Sequence, residues 1–196
     1  MYNKLYETIT DALVHNGYVI LENALEAELS KTLKNFAQSQ ADFRQAGISG
    51  AGSLHLDAKR RRDKIYWLDS DEVASRKFLG FANGLKEYLN RELYLGLSYY
   101  ESHFALYEEG DFYETHLDAF KNSKNRVVTT VYYLNDGWSE SDGGELVIYD
   151  KDNKFLAKVI PQANTLIVFM SEKFPHEVLP SKGVRYSIAG WFRVDK

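Results

Sequence analysis

The chain has 196 residues, of which 44% are apolar and 27% charged, so it can form the core of one globular domain. Its 24 Lys and Arg against 28 Asp and Glu residues give a net charge of −4, whereas general nucleic-acid binders and polybasic membrane-binding proteins are usually basic. The chain contains no cysteine, which excludes disulfide frameworks, thiolate zinc sites, iron–sulfur clusters and cysteine nucleophiles.

The N-terminal residues 1–8 lack the apolar stretch of a signal peptide. No window of the sequence approaches the roughly 18 uninterrupted apolar residues of a membrane span. We therefore expect a cytoplasmic protein with no membrane partner and, given its acidic charge, no nucleic-acid partner. We also expect it to act as a monomer.

Helical periodicity dominates the first half of the chain. Apolar residues predict a helix over about 6–13 that ends at Asn16-Gly17, and residues 18–21 form a short apolar run typical of a strand. Asn23, with a Glu three positions further on, predicts the start of a second helix whose apolar residues share one face.

A polar, glycine-containing stretch over 38–63 is predicted to be a long loop, and long loops in compact domains often have a function. Its basic run at 59–62 (Lys-Arg-Arg-Arg) could close over a peptide with acidic flanks, or it could be an ordinary solvated loop. A short strand at 64–68 and a long helix over 71–93 follow.

The second half of the chain consists of short β-type runs separated by turn residues. The eight predicted strands cover 98–107, 112–116, 126–134, 145–149, 155–160, 165–170, 176–179 and 185–194. This order predicts a single α+β domain over 1–196, in which a double-stranded β-helix (jelly-roll) barrel over about 98–196 is backed by the helices and loop of about 1–97.

Two His-x-Asp motifs, His55-Leu56-Asp57 and His116-Leu117-Asp118, could each offer an imidazole and a carboxylate to one metal, because alternate residues of a strand share a face. We favour the second motif because it ends a predicted strand, whereas His55 lies in the loop beside a basic run that would repel a cation. We interpret the first motif as a surface pair. His176, several strands later, would complete the two-His-one-carboxylate triad of non-haem Fe(II) oxygenases.

Arg185 begins the last predicted strand, and the alternation of that strand places Ser187, Ala189 and Trp191 on the same face. A buried arginine is costly without an anionic partner. The small side chains at 187 and 189 would leave a slot for a slim dicarboxylate, whose terminal carboxylate a guanidinium binds through two hydrogen bonds. The alternative is an arginine at the rim of an exposed strand.

Together these residues resemble those of the Fe(II)/2-oxoglutarate dioxygenases, and more closely the prolyl 4-hydroxylases of the hypoxia-inducible-factor type with their bacterial relatives. The resemblance runs from about residue 62 to 193. Its shared strings are Arg62-Asp63-Lys64-Ile65-Tyr66-Trp67, Tyr132-Tyr133-Leu134-Asn135, Trp138, Gly143-Gly144, Pro175-His176-Glu177-Val178 and Arg185-Tyr186.

The resemblance implies that His116, Asp118 and His176 bind Fe(II), with 2-oxoglutarate and O₂ as co-substrates and ascorbate as a reductant. It also implies that Arg185 binds the distal carboxylate of 2-oxoglutarate, helped by the hydroxyl of Tyr133. Four further roles are implied for residues that are otherwise explained by core packing or a loop salt bridge. Leu146 would form a wall against the co-substrate, and Tyr107 would also contact the co-substrate. The residues around the target proline would be Tyr107, Tyr113, Arg126 and Trp191. Asp63 would lie near an iron-bound water, and its alternative role is a salt bridge with Arg61 or Arg62.

Two residues depart from the family pattern. Ala189 replaces a hydroxyl-bearing residue of the co-substrate slot, and His103 stands where an apolar residue is usual. The first change is expected to loosen co-substrate binding. The second is expected to alter the substrate rim, unless His103 is simply a satisfied histidine on a strand.

The activity implied by the resemblance is hydroxylation of a prolyl residue in a protein, coupled to the conversion of 2-oxoglutarate to succinate and CO₂. By analogy with bacterial relatives, the substrate is a translation factor such as elongation factor Tu. Two other functions stay open at this point, namely an oxygenase that hydroxylates a free amino acid or small molecule, and a barrel that senses a metal or ligand without turnover.

Overall fold

The computed structural model describes residues 2–50, 53–55, 57, 59–119 and 125–195. The helices are α1 (Asn3–His15), α2 (Ala27–Ser39) and α3 (Val73–Leu93), with a short 3₁₀ helix at Glu140–Asp142. The strands are β1 (Tyr18–Leu21), β2 (Arg44–Gln45), β3 (Ile48–Gly50), β4 (Ser53–His55), β5 (Lys64–Trp67), β6 (Tyr99–Tyr107), β7 (Tyr113–His116), β8 (Arg126–Tyr133), β9 (Leu146–Tyr149), β10 (Phe155–Val159), β11 (Leu166–Met170), β12 (His176–Val178) and β13 (Arg185–Arg193).

The strands form two antiparallel sheets that enclose a barrel interior. The larger sheet has the order β1-β11-β8-β13-β6-β5-β2, and the smaller has the order β10-β9-β12-β7, with β3 and β4 as a separate hairpin. Apolar side chains of both sheets meet in one cluster, for example Val131 and Ile167 with Ile148. This arrangement confirms the predicted jelly-roll barrel backed by N-terminal helices.

The helices cover the outer face of the larger sheet, which leaves the inner face free for a binding site. Ile9, Leu33 and Leu85, one from each helix, are fully buried in a core that also contains Tyr132 and Ile188 of the sheet. Because neighbouring residues of a strand point to opposite faces, the odd-numbered residues of β8 and β13 face inward. None of the helices in the described ranges is both long and apolar enough to cross a membrane.

The predicted start of the second helix at Asn23 is wrong. Asn23 has a φ of 51° in a turn, and α2 begins only at Ala27. The backbone of Leu25 is bonded at both its N–H and its carbonyl to the side-chain amide of Asn164, at 2.8 Å each. These tertiary hydrogen bonds hold the segment in a non-helical conformation, which local helix propensity does not reveal.

The stretch predicted as a loop over 38–63 also contains secondary structure. β2 extends the edge of the larger sheet, with Arg44 opposite Ile65 on β5, and β3 pairs with β4. Strands of two or three residues are too short to give a recognisable alternation of polar and apolar residues. β2 therefore adds a short wall to the open edge of the barrel.

Candidate active site

Three potential metal ligands meet on the smaller sheet. His116 ends β7 and His176 begins β12, and these two residues lie opposite each other in an antiparallel pair. Asp118 lies between them, with Oδ1 3.7 Å from Nε2 of His116 and Oδ2 3.5 Å from Nε2 of His176. One ligand atom of each side chain lies within 4.8 Å of the other two, so the convergence predicted from sequence is confirmed and one metal ion can contact all three.

Hydrogen bonds to main-chain carbonyls fix the orientation of both imidazoles. The Nδ1–H of His116 donates to the carbonyl of Glu114 at 2.8 Å, and the Nδ1–H of His176 donates to that of Phe174 at 3.0 Å. A proton on Nδ1 leaves the lone pair of Nε2 free for a metal. Burial lowers the pKa of His116, with the neighbouring His176 adding to the effect, so the neutral form that binds a metal is favoured.

The carboxylate of Asp118 accepts a hydrogen bond from one hydroxyl of the larger sheet, which is itself bonded to a second hydroxyl. Thr129 on β8 donates a hydrogen bond to Oδ2 of Asp118 at 2.8 Å, and its own oxygen lies 2.8 Å from Oγ of Ser171. Asp118 is thereby tied to the sheet opposite the two histidines. Ser171 was not predicted, because a serine after a strand gives no signal of this contact, whereas the alternation of β8 could have indicated Thr129.

The same cavity holds a buried arginine that has no acidic partner among the described residues. Arg185 is 1% exposed, and its Nε has no hydrogen-bond partner in the part of the chain that the structure describes. Its Nη1 donates only a long bond of 3.5 Å to Ser187, while the guanidinium lies 4.6 Å from the ring centre of Tyr107 and 5.1 Å from that of Tyr133. By contrast, Arg61 pairs with the carboxylate of Asp63. An unpaired buried guanidinium is suited to an anionic ligand.

Neighbouring residues keep the Arg185 end of the cavity open for such a ligand. The hydroxyl of Tyr133 is buried without a hydrogen-bond partner among the described residues. Burial raises the pKa of Tyr133 to about 12 even though Arg185 lowers it, so the hydroxyl stays protonated and can donate. Gly144 has a φ of +70°, and a Cβ there would lie 3.0 Å from Cδ of Arg185, so only glycine lets the arginine chain pass unhindered.

The opposite wall carries aromatic rings close to the metal ligands. Tyr113 stacks on His116 with 3.6 Å between ring centres and 16° between planes. The guanidinium of Arg61 lies 4.5 Å from the centre of the Tyr113 ring and is bonded to the fully buried Asp63 at 2.6 and 2.9 Å. The salt bridge considered as the alternative role of Asp63 is therefore present, although Asp63 also lines the cavity.

The triad, Arg185 and the aromatic residues share one cavity of about 570 Å³. Ten of the eleven site residues predicted from sequence line it, and the eleventh, Tyr133, lies against Arg185. The ten are His116, Asp118, His176, Arg185, Leu146, Tyr107, Tyr113, Arg126, Trp191 and Asp63. Arg44 and Gln45 of β2 line it too and were missed, because their strand was predicted as a loop.

Asp57 of the first His-x-Asp motif is not part of this cluster. The carboxylate of Asp57 accepts a hydrogen bond from the main-chain N–H of Lys59 at 3.1 Å. The side chain of His55 lies outside the described residues. Within the described ranges, the His116, Asp118 and His176 cluster is the group that could hold a metal ion.

The donor set fits a specific kind of chemistry. Two neutral imidazole nitrogens and one carboxylate suit ferrous iron and occupy one side of the ion, so other ligands can bind on its open side. A small acid whose other end carries a carboxylate can reach Arg185 within the same cavity. The remaining space between aromatic walls suits an apolar ring of a second substrate.

Comparisons with known proteins agree with this geometry. Residues 102–193 match the sequence model of the 2OG-Fe(II) oxygenase superfamily. The mouse (Mus musculus) protein "Prolyl hydroxylase EGLN3" is 32% identical over 188 residues, which cover 90% of this chain and 72% of the mouse protein.

Two solved structures are similar to this chain along almost its whole length. A Pseudomonas putida prolyl-4-hydroxylase has a TM-score of 0.87 and 34% identity, with 97% of this chain and 100% of that chain covered. A Trichoplax adhaerens prolyl hydroxylase, solved with a peptide fragment of the hypoxia inducible factor oxygen degradation domain, has a TM-score of 0.83 and 29% identity. That comparison covers 97% of this chain and 89% of the other.

Proposed function

The chain belongs to the Fe(II)- and 2-oxoglutarate-dependent prolyl hydroxylases of the hypoxia-inducible-factor type, and we propose that it hydroxylates C4 of a prolyl residue within a protein. It is a dioxygenase that uses Fe(II), 2-oxoglutarate and O₂. In this reaction one atom of O₂ is inserted into a C–H bond of the substrate, and the other enters succinate as 2-oxoglutarate loses CO₂. The observation that carries the proposal is the unpaired Arg185 in the same cavity as the triad.

Each end of the cavity supports a separate task. His116, Asp118 and His176 would hold Fe(II), which supplies the activation of O₂ when it is bound. Arg185 and the Tyr133 hydroxyl would bind the distal carboxylate of 2-oxoglutarate. The apolar side chain of Leu146, which is 2% exposed, would lie along the carbon chain of the co-substrate and exclude water from it.

Aromatic side chains would hold the prolyl ring. Proline offers no side-chain donor or acceptor, so it is recognised by shape and by contact with aromatic faces. Tyr113 is held by its stack on His116, and Trp191 is held by the guanidinium of Arg126, 3.8 Å from the centre of its ring. Arg126 in turn pairs with Glu101 at 3.2 Å, which fixes the position of this cation.

The proposed substrate class is a protein rather than a free amino acid. The Trichoplax relative was solved with a peptide, and a cavity of about 570 Å³ leaves room for peptide residues beside 2-oxoglutarate. We infer that elongation factor Tu is the substrate to test first, by analogy with bacterial relatives.

The test is incubation of the protein with Fe(II), 2-oxoglutarate, ascorbate and elongation factor Tu, followed by peptide mass spectrometry. We expect a mass increase of one oxygen atom on a proline, with stoichiometric succinate, and neither with His116→Ala. Modification of free proline but of no protein would overturn the protein-substrate proposal. No succinate above that of a metal-free control with any protein tested would instead favour a sensor barrel.

A further inference from the structure

One cavity residue remains unexplained by the binding of iron and 2-oxoglutarate. His103, in the middle of β6, is 2% exposed and lines the cavity. Neither of its ring nitrogens has a hydrogen-bond partner in the described part of the chain. Buried polar side-chain atoms are nearly always hydrogen-bonded, so an imidazole with two unpaired nitrogens indicates a binding site for a polar group of a ligand.

The surroundings of His103 are aromatic on two sides, and a small residue lies on a third. Its ring centre lies 5.2 Å from that of Trp67 and 5.3 Å from that of Trp191. Its neighbours in the sheet are Trp67 on β5 and Ala189 on β13. The single methyl group of Ala189 leaves space beside the imidazole. Trp67 is 53% exposed, and exposed side chains change rotamer within nanoseconds, so this indole can move away from His103 when a ligand enters.

The electrostatic setting favours a neutral ligand here. Burial lowers the pKa of His103 well below its ordinary value, and the charges of Arg61 and Arg126 lower it further. The imidazole is therefore neutral, with one N–H and one lone pair. Both arginines already face carboxylates, those of Asp63 and Glu101. This end of the cavity thus differs from the Arg185 end, where the guanidinium faces no carboxylate from the part of the chain that the structure describes.

We propose that His103 is a specificity-determining residue, which donates a hydrogen bond to a main-chain carbonyl of the peptide beside the target proline. This inference rests on the proposed function. A prolyl residue lacks an N–H, so the main chain around it offers more acceptors than donors. The indole N–H of Trp191, which can only donate, faces the carboxylate of Asp118 and lowers the pKa of that group. The donor that has no such acceptor beside it among the described residues is His103.

The test compares His103→Met, which has similar size but no comparable hydrogen bond, with His103→Gln, which keeps a donor and an acceptor. The substrate probe is a synthetic peptide library with a fixed central proline and randomised flanks. We expect His103→Met to raise KM for the preferred peptide at least about tenfold, the value of one lost hydrogen bond to a buried carbonyl. KM for 2-oxoglutarate should stay within about twofold, and His103→Gln should restore most of the peptide affinity.

Thermal denaturation without substrate provides an independent readout. Removal of unpaired buried polar atoms should raise the Tm of His103→Met, whereas a structural histidine would lower it when replaced. Ser75→Ala is the matched control. Ser75 on α3 is fully buried with an unpaired hydroxyl but does not line the cavity, so its replacement should raise Tm without changing KM for peptide.

The outcomes separate this inference from the proposed function. If the wild type hydroxylates library peptides but His103→Met leaves KM for peptide unchanged, only the role of His103 is wrong. A lower Tm for His103→Met with no change in peptide KM would make the residue structural, and a rise in KM for 2-oxoglutarate alone would assign it to the co-substrate. If the wild type modifies no peptide and binds none, both proposals are overturned.

Discussion

Replacing Arg185 by methionine removes a buried cation while keeping a side chain of similar length. The guanidinium is 1% exposed and has no acidic partner in the described part of the chain. Without a ligand, folding therefore removes water from this charge and provides no opposite charge in its place, which destabilises the folded protein. We expect Arg185→Met to stabilise the ligand-free protein by about 1–3 kcal/mol, the usual cost of an unsatisfied buried polar group.

The same substitution should abolish tight binding of 2-oxoglutarate. A carboxylate bound by a guanidinium gains two charge-assisted hydrogen bonds of about 1.5–3 kcal/mol each. Loss of both bonds corresponds to a decrease in affinity of roughly 10²- to 10⁴-fold. The direction of the stability change is thus opposite to the direction of the affinity change, which no purely structural role of Arg185 predicts.

Thermal denaturation with and without 2-oxoglutarate measures both effects, with Mn(II) in place of iron to prevent turnover. At a ligand concentration of 100 times Kd, binding stabilises the wild type by about 2.7 kcal/mol. For a domain of this size that is a rise in Tm of roughly 5–10 °C. Arg185→Met should show a higher starting Tm and almost no further rise.

Arg193→Met is the matched control on the same strand. Arg193 donates to Glu101 at 2.6 Å, so its replacement should lower Tm and leave the rise with 2-oxoglutarate intact. If Arg185→Met instead lowered the starting Tm and kept the full rise with 2-oxoglutarate, Arg185 would be a packing residue and the assignment of this end of the cavity would be wrong.

Three further predictions test other parts of the molecule. His116→Ala should abolish succinate release, whereas His55→Ala should leave most of it; an essential His55 would show that the wrong His-x-Asp motif was chosen. Because folding lowers the pKa of His103, only the unfolded state takes up its proton as the pH falls below about 6.5, so stability decreases there. Between pH 6 and 5, the free energy of unfolding in urea should accordingly decrease less for His103→Met than for the wild type, by up to about 1.4 kcal/mol per pH unit. Equal decreases in both proteins would contradict a buried neutral imidazole. Asn135→Ala removes three hydrogen bonds, to the carbonyl of Pro161 and to both main-chain groups of Tyr186, and should cost roughly 2–4 kcal/mol in urea unfolding. The exposed neighbour variant Asp136→Ala should cost less than about 1 kcal/mol, and similar losses in both would mean that the amide of Asn135 contributes nothing specific.

The metal cluster could be predicted from the sequence because it depends on residue type and on the alternation of side chains along a strand. His116 and Asp118 are two positions apart at the end of a strand, and the sheet topology then brings His176 opposite His116. The slot beside Arg185 was predictable for a similar reason, since alternate residues of β13 face one side. In both cases the relevant contact follows from the period of a strand.

Contacts between distant loops leave no such periodic signal. The amide of Asn164 holds Leu25 from far along the chain, and this contact moved the start of α2 away from Asn23. The bond between Ser171 and Thr129 likewise depends on how a turn after β11 meets β8. Single polar residues of this kind resemble ordinary loop residues in sequence, so their partners emerge only from the folded chain.

The order of inward-facing side chains along β13 separates the two organic substrates. Arg185 presents an unpaired cation, Ser187 and Ala189 are small, and Trp191 presents an aromatic face beside the neutral His103. A dicarboxylate placed against the indole would lose its hydration without gaining an opposite charge, so it binds at the Arg185 end. A prolyl peptide at the Arg185 end would leave the guanidinium unpaired, whereas at Trp191 its ring would gain contact area and its carbonyl would meet the imidazole of His103. Under the proposed function, one strand would therefore determine where each substrate binds, because each wrong placement would leave a buried polar group without a partner.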